Sequence, residues 1–154
     1  MPDIARQLRE HALAVAAPDL DVAPAPGHTH VWGVLMETGY PEGVATLVCL
    51  ADGATSLYFS NGGGVIGAGE HQRVRDAATR FIAMADACVA ELEPTTTHPF
   101  PKAGRVRFYA RTFHGLRTAE ASEDELGAQP HPLSPVFLAG HAVVSAIRES
   151  GAGK

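Results

Sequence analysis

Residues 44–60 read VATLVCLADGATSLYFS. Two apolar runs rich in β-branched and aromatic side chains flank Asp52-Gly53. That pattern predicts a β-hairpin, because a type I′ turn needs positive φ at two successive residues and Asp-Gly supplies them. The first run, 44–51, is apolar on both faces, as expected of a strand in the interior of a sheet. The second strand covers 54–60. On the N-terminal side, residues 29–38 (THVWGVLMET) read as a further strand, joined to 44–51 by a turn at Tyr40-Pro41-Glu42-Gly43. Three consecutive strands with short turns pair as an antiparallel meander.

Further out, Ile4, Leu8, Ala12 and Val15 recur at helical spacing, so 3–16 reads as a helix, followed by a linker holding Pro18, Pro24, Pro26 and Gly27. On the other side, Val74, Ala78, Phe81, Ile82, Ala85, Cys88, Val89 and Leu92 line one face of a long helix over 70–92. Pro94 to Gly104 reads as a loop. Residues 105–113 (RVRFYARTF) alternate: Val106, Phe108, Ala110 and Thr112 on one face, Arg105, Arg107, Tyr109, Arg111 and Phe113 on the other. His114-Gly115 turns the chain into a fifth strand, 116–121. Residues 122–132 read as loop. Ser134 as N-cap and Pro135 at the first helical position open a closing helix over 135–149, and the tail from Gly151 is expected to fray. The fold class is α+β: one domain, 1–154, with a five-stranded antiparallel sheet (three-strand meander plus hairpin) packed with three helices. The order in which the two strand groups meet is left open.

A chain of 154 residues, 45% hydrophobic and 19% charged, buries an adequate core without staples. The net charge of −5 opposes attraction to nucleic acid or an anionic membrane. No run approaches a membrane span and the N-terminus has no signal-peptide core, which predicts a cytoplasmic protein. Cys49 and Cys88, each inside an apolar run, read as buried free thiols.

The most distinctive stretch is Asn61-Gly62-Gly63-Gly64-Val65-Ile66-Gly67-Ala68-Gly69. Gly62, Gly64 and Gly67 satisfy G-x-G-x-x-G between a strand and a helix, a pattern that lets backbone approach a phosphate at a helix N-terminus. The context is not that of a dinucleotide loop, since no βαβ unit surrounds it and no acid closes the next strand. The glycines therefore read as conformational, with at least one of Gly62, Gly63 and Gly64 at positive φ, and Gly67 and Gly69 needed for close packing. If the loop binds a ligand, Asn61, Gly62, Gly63, Gly64, Gly67, Gly69, His71 and Arg73 are the candidate site.

Eight histidines are many for this length, and His28 and His30 share a strand face. With His98, His114 or His131 they suggest a metal site, but no ligand spacing supports one, and neither metal nor cofactor is expected. The arginine face of 105–111 interleaves with Tyr109, as nucleic-acid sheets do, yet the acidic chain and the nearby Glu120, Glu123, Asp124 and Glu125 favour ion pairing instead. No nucleophile elbow surrounds Ser60, Ser134 or Ser145. Asp52 reads as a turn residue.

The N-terminal helix, the hairpin carrying Leu50-Ala51-Asp52-Gly53, the Ala-rich middle helix, the later hairpin and the closing helix together resemble the roadblock (dynein light chain type) domains and the wider profilin-like group. Those domains place two strands before the middle helix and three after it, where this chain has three and two. The resemblance implies a non-catalytic dimer that binds regulatory partners, often small GTPases. The expected function is thus an interaction or regulatory module, homodimeric or bound to another protein. The alternative is a small-ligand or anion-binding protein, or an enzyme, built on the loop 61–69. A dimer is also expected because segments 44–60 and 70–92 carry more apolar surface than one thin sheet covers.

Overall fold

A computed structural model describes residues 2–128 and 130–150, so the expected fraying from Gly151 lies outside the described residues. Along the chain run α1 (Pro2–Ala14), β1 (Val31–Tyr40), β2 (Gly43–Leu50), β3 (Thr55–Phe59), β4 (Gly64–Ile66), α2 (Gln72–Ala87), β5 (Glu93–Pro94), β6 (Arg105–Thr112), β7 (Gly115–Ser122), α3 (Glu123–Ala128) and α4 (Ser134–Ser150). Among the described residues these strands form one antiparallel sheet in the order β4-β3-β2-β1-β6-β7-β5. The α+β class and the antiparallel sheet are as expected. The sheet has seven strands, not five, and there are four α-helices among the described residues, not three. The two strand groups meet through β1 and β6, with Leu35 opposite Tyr109.

The sheet is covered on both faces. On one, Val34, Met36, Leu47, Cys49, Val106, Phe108 and Ala110 pack against α2 and α4. On the other, Trp32, Leu35, Val48, Leu50, Tyr58 and Tyr109 pack beneath α1 and the 3-10 turn at Ala17–Leu20. Side-chain alternation along both β1 and β2 feeds both cores; both are interior strands, and β1 is the middle one of the seven. Full burial of side chains such as Trp32, Phe81 and Leu35 stabilises by roughly 1.5–3 kcal/mol each. The alternation read along 105–113 holds: Val106, Phe108 and Ala110 enter the α2–α4 core, and Tyr109 enters the α1 core.

The differences have local causes. The Asp52-Gly53 turn is not type I′, because Asp52 does not take positive φ and Gly53 alone does, at +97°. Gly53 N–H donates to Leu50 O, and Leu50 N–H donates to Ala54 O, giving a three-residue loop with a bulge. The edge strands β4 and β5 are too short to show alternation. Helix α3 has one buried residue, Leu126, hence no periodicity, but Ser122 Oγ caps it by accepting from Glu125 N–H. Helix α2 begins at Gln72 and ends at Ala87, two residues inside the expected start and five inside the expected end, because Val89–Glu91 winds into a 3-10 turn that feeds β5. Ser134 is not an N-cap. Its buried hydroxyl donates to Leu126 O at 2.6 Å and ties α4 to α3, while His131 Nδ1 accepts from Leu133 N–H. Cys49 is buried and Cys88 half-buried, both free.

One carboxylate fixes where β1 starts. Asp86, near the end of α2, accepts from Thr29 N–H and its hydroxyl, His30 N–H and Val31 N–H at 2.7–3.2 Å.

Candidate functional site

Cross-strand register places Gly64, Tyr58, Thr46, Glu37, Arg107 and Glu120 in a single row across six strands. They share the α1 face, two positions along their strands from Leu35, Val48 and Tyr109 of that core. A polar row inside an apolar sheet needs partners, since unpaired buried charge is expensive. Helix α1 supplies the main one. Among its described side chains Ala5, Arg9 and Ala12 are buried, a face rotated from the expected stripe and leaving Ile4 on the outside. Arg9 forks onto Glu37, Nε to Oε2 at 2.7 Å and Nη2 to Oε1 at 2.9 Å, and Nη2 also donates to His98 O. Thr46 Oγ1 donates to Glu37 Oε2 at 2.7 Å. The guanidinium lies 3.9 Å above the Phe100 ring. Burial alone would lower the Arg9 pKa, but the hydrogen bonds and charge of Glu37 outweigh it and raise it.

The rest of the row is paired except at two atoms. Arg107 meets Glu120 at 2.7 Å and donates to Thr118 Oγ1, and Arg105 also pairs with Glu120 at 2.9 Å. Arg111 donates to Ala12 O and lies 4.6 Å from the Trp32 ring. The arginine face is therefore held by ion pairs and backbone, not presented free. Arg107 Nε and the Tyr58 hydroxyl are buried with no hydrogen-bond partner. Burial, and then the Glu37 charge, push the Tyr58 phenol well above its ordinary range. Tyr109 is pushed up to about 12, mainly by burial, and donates to Pro99 O.

Two hollows flank α1, both bordered by Ala5 and Tyr58. One, about 230 Å³, is lined by Ile4, Leu8, Phe59, Gly62, Gly63 and Gly64. The other, about 130 Å³, is lined by Arg6, Arg9, Thr46, Ser60 and Phe100. Phe59 also borders a third hollow with Tyr40, Glu42, Gly43, Val44 and Asn61.

The sequence-derived candidates therefore divide. Gly62, Gly63 and Gly64 line the larger α1 hollow, and all three have positive φ. They form the β3–β4 hairpin turn, with Phe59 N–H donating to Gly63 O, so they do not sit at a helix N-terminus as a dinucleotide loop would. Gly64 has no room for a side chain, since a Cβ would lie 2.7 Å from Tyr58 Cα. Gly69 is packed against the carbonyl of Gly53, the close contact expected of it. Gly67 is instead a conformational glycine, φ +77°, with open space around it. His71 precedes α2 and is exposed, and Arg73 is exposed and paired with Glu149 on α4 at 3.1 Å. Neither lines an α1 hollow.

Sequence reading missed Arg9, Glu37, Thr46 and Tyr58. A signal existed: Glu37 is the lone acid in the strand segment 29–38, and Arg9 sits one position from Leu8 on a helix whose inner face is otherwise small and apolar. Among the described residues, no three His, Cys, Asp or Glu side chains are grouped to hold a metal ion, and no helix is long and apolar enough to cross a membrane. Compared with protein-family models, curated proteins and solved structures, the chain gives no significant match.

Proposed function

We propose that the chain is a non-catalytic interaction module that works as a homodimer, with the rim around the β3–β4 turn as its contact surface. The observation that carries this is the clustering of exposed apolar side chains there. Ile4 is 54%, Tyr40 42% and Phe59 39% exposed. Ile4 and Phe59 border one hollow, and Phe59 and Tyr40 the next, with the glycine turn between them. Apolar side chains grouped this way mark contact surfaces more often than isolated ones do. The apolar faces of α2 and β2, expected to drive dimerisation, are covered within one chain. The sheet edges also offer little, since β4 has three residues and β5 two, one of them Pro94. Association through the rim is the remaining route.

A non-catalytic role is supported by the groups beside the rim. Tyr58 is held protonated, and Arg9 is charged and occupied by Glu37, so neither is poised for proton transfer. The resemblance to roadblock-type domains implies the same class of role. Sedimentation equilibrium at micromolar concentration tests the reading. The wild type should weigh twice one chain, and Phe59→Glu or Ile4→Glu should weigh one. A monomeric wild type overturns it.

A further inference from the structure

We propose that the hollow between the turn at residues 25–28, the β2–β3 loop and α2 binds a small zwitterion, an α-amino acid with an aliphatic side chain. The site lies at the other end of β3 from the rim. It goes beyond the interaction reading and does not depend on assembly.

The first ground is how the walls are held. His28 N–H donates to Ala25 O at 2.9 Å, closing a tight turn with Pro26 and Gly27 at its corner. Gly27 has φ +88°, as the third residue of a type II turn requires. Asp86 accepts from the next three backbone N–H groups, at Thr29, His30 and Val31, and so ties this wall to α2. The β2–β3 loop is closed by its own hydrogen bonds, and Ala51 N–H donates to Trp32 O at 2.8 Å. The hollow, about 290 Å³, is thus set before anything enters it, which lowers the cost of binding.

The second ground is the charge. Asp52 and Arg75 both line the hollow, yet among the described residues neither forms an ion pair, with the other or with any other group. Each is held by a neutral group instead. Asp52 Oδ1 accepts from Ala54 N–H at 3.0 Å, and Arg75 Nη2 donates to Gln72 Oε1 at 3.0 Å. The two formal charges cancel, so the hollow offers one unneutralised group of each sign. That matches a ligand carrying both an ammonium and a carboxylate, and matches a simple anion or cation poorly. His28 adds a hydrogen-bonding ring on the third wall. Leu50, Ala78 and Ile82, all buried, supply apolar lining beside these groups, so the ligand's body is hydrocarbon. Scaled from the roughly 150 Å³ that accepts benzene, the volume suits about ten non-hydrogen atoms, the size of leucine.

The test titrates the full chain with leucine, isocaproate, isoamylamine and glycine, followed by amide chemical shifts. Leucine should move the amides of His28, Asp52, Gly53 and Arg75 saturably at millimolar concentration. Isocaproate and isoamylamine, each lacking one charge, should bind at least roughly tenfold more weakly, the loss of one charge-assisted hydrogen bond. Glycine, lacking the hydrocarbon body, should also bind more weakly. Asp52→Asn keeps the oxygen that accepts from Ala54, and Arg75→Gln changes an exposed side chain, so both should melt close to the wild type. Asp52→Asn should bind leucine and isocaproate alike, and Arg75→Gln should bind leucine and isoamylamine alike. The analogue series uses the wild type alone and decides the matter if a variant fails to fold. The proposal is overturned by no saturable leucine shift at millimolar concentration. Equal wild-type binding of leucine and either single-charge analogue, or wild-type leucine affinity in either variant, also overturns it.

Discussion

The Arg9–Glu37 fork joins residues 28 positions apart and is nearly dry, with side chains 7% and 0% exposed. Such a pair adds little net stability over well-packed apolar residues, but breaking it strands a charge. Glu37→Ala should therefore lose about 3–5 kcal/mol in urea unfolding. The double change Arg9→Met with Glu37→Leu should lose much less, and an equal loss would mean the charges carry stability themselves. Glycine substitutions discriminate in the same way. Gly63→Ala meets open space and should lose about 1 kcal/mol through positive φ alone, while Gly64→Ala also collides with Tyr58 and Leu57 and should lose more than its neighbour in thermal melts. At this scale the sequence was legible only for groups whose role is local. Positive φ in residues 62–64 follows from the glycines themselves, whereas the fork depends on how α1 lies on the sheet, and nothing near Arg9 or Glu37 states that.

Among elements, the contact between the end of α2 and the start of β1 rests on Asp86. Burial alone would raise its pKa; the four hydrogen bonds from residues 29–31 outweigh that and hold it below the ordinary carboxylate range. Its folded pKa is depressed, so its contribution is full above the unfolded value of about 3.9 and is lost as pH falls through the folded one. Asp86→Asn should be less stable than the wild type at neutral pH by roughly 1–2 kcal/mol, and the gap should narrow below about pH 4. A gap that is independent of pH would contradict this. The elements themselves were legible where period and length agree. Strand β6 alternates over eight residues and α2 repeats over sixteen, and both were readable. Strands β4 and β5 are too short for a period, and their pairing is a property of neighbours distant in sequence. The start of α3 was written in Ser122 and Glu125, a capping pair that the acidic run around it obscured.

For the whole molecule, acid should act before Asp86 protonates. His141 on α4 has a buried Nε2 without a partner, and burial holds its pKa below the ordinary histidine value against the pull of Glu123. A depressed histidine stabilises fully above its unfolded pKa of about 6.5 and progressively less as pH falls below it. The wild type should lose stability between about pH 6.5 and 5 in denaturant titrations, and His141→Leu should remove that phase. The proposed association through the rim at the β3–β4 turn is tested by amide chemical shifts of the wild type, followed as protein concentration rises through the micromolar range. Shifts should move at Ile4, Leu8, Tyr40, Phe59 and residues 62–64 and stay still on the exposed surfaces of α2 and α4. Shifts that do not change with concentration, or that gather around Met84 and Leu138 instead, would contradict it.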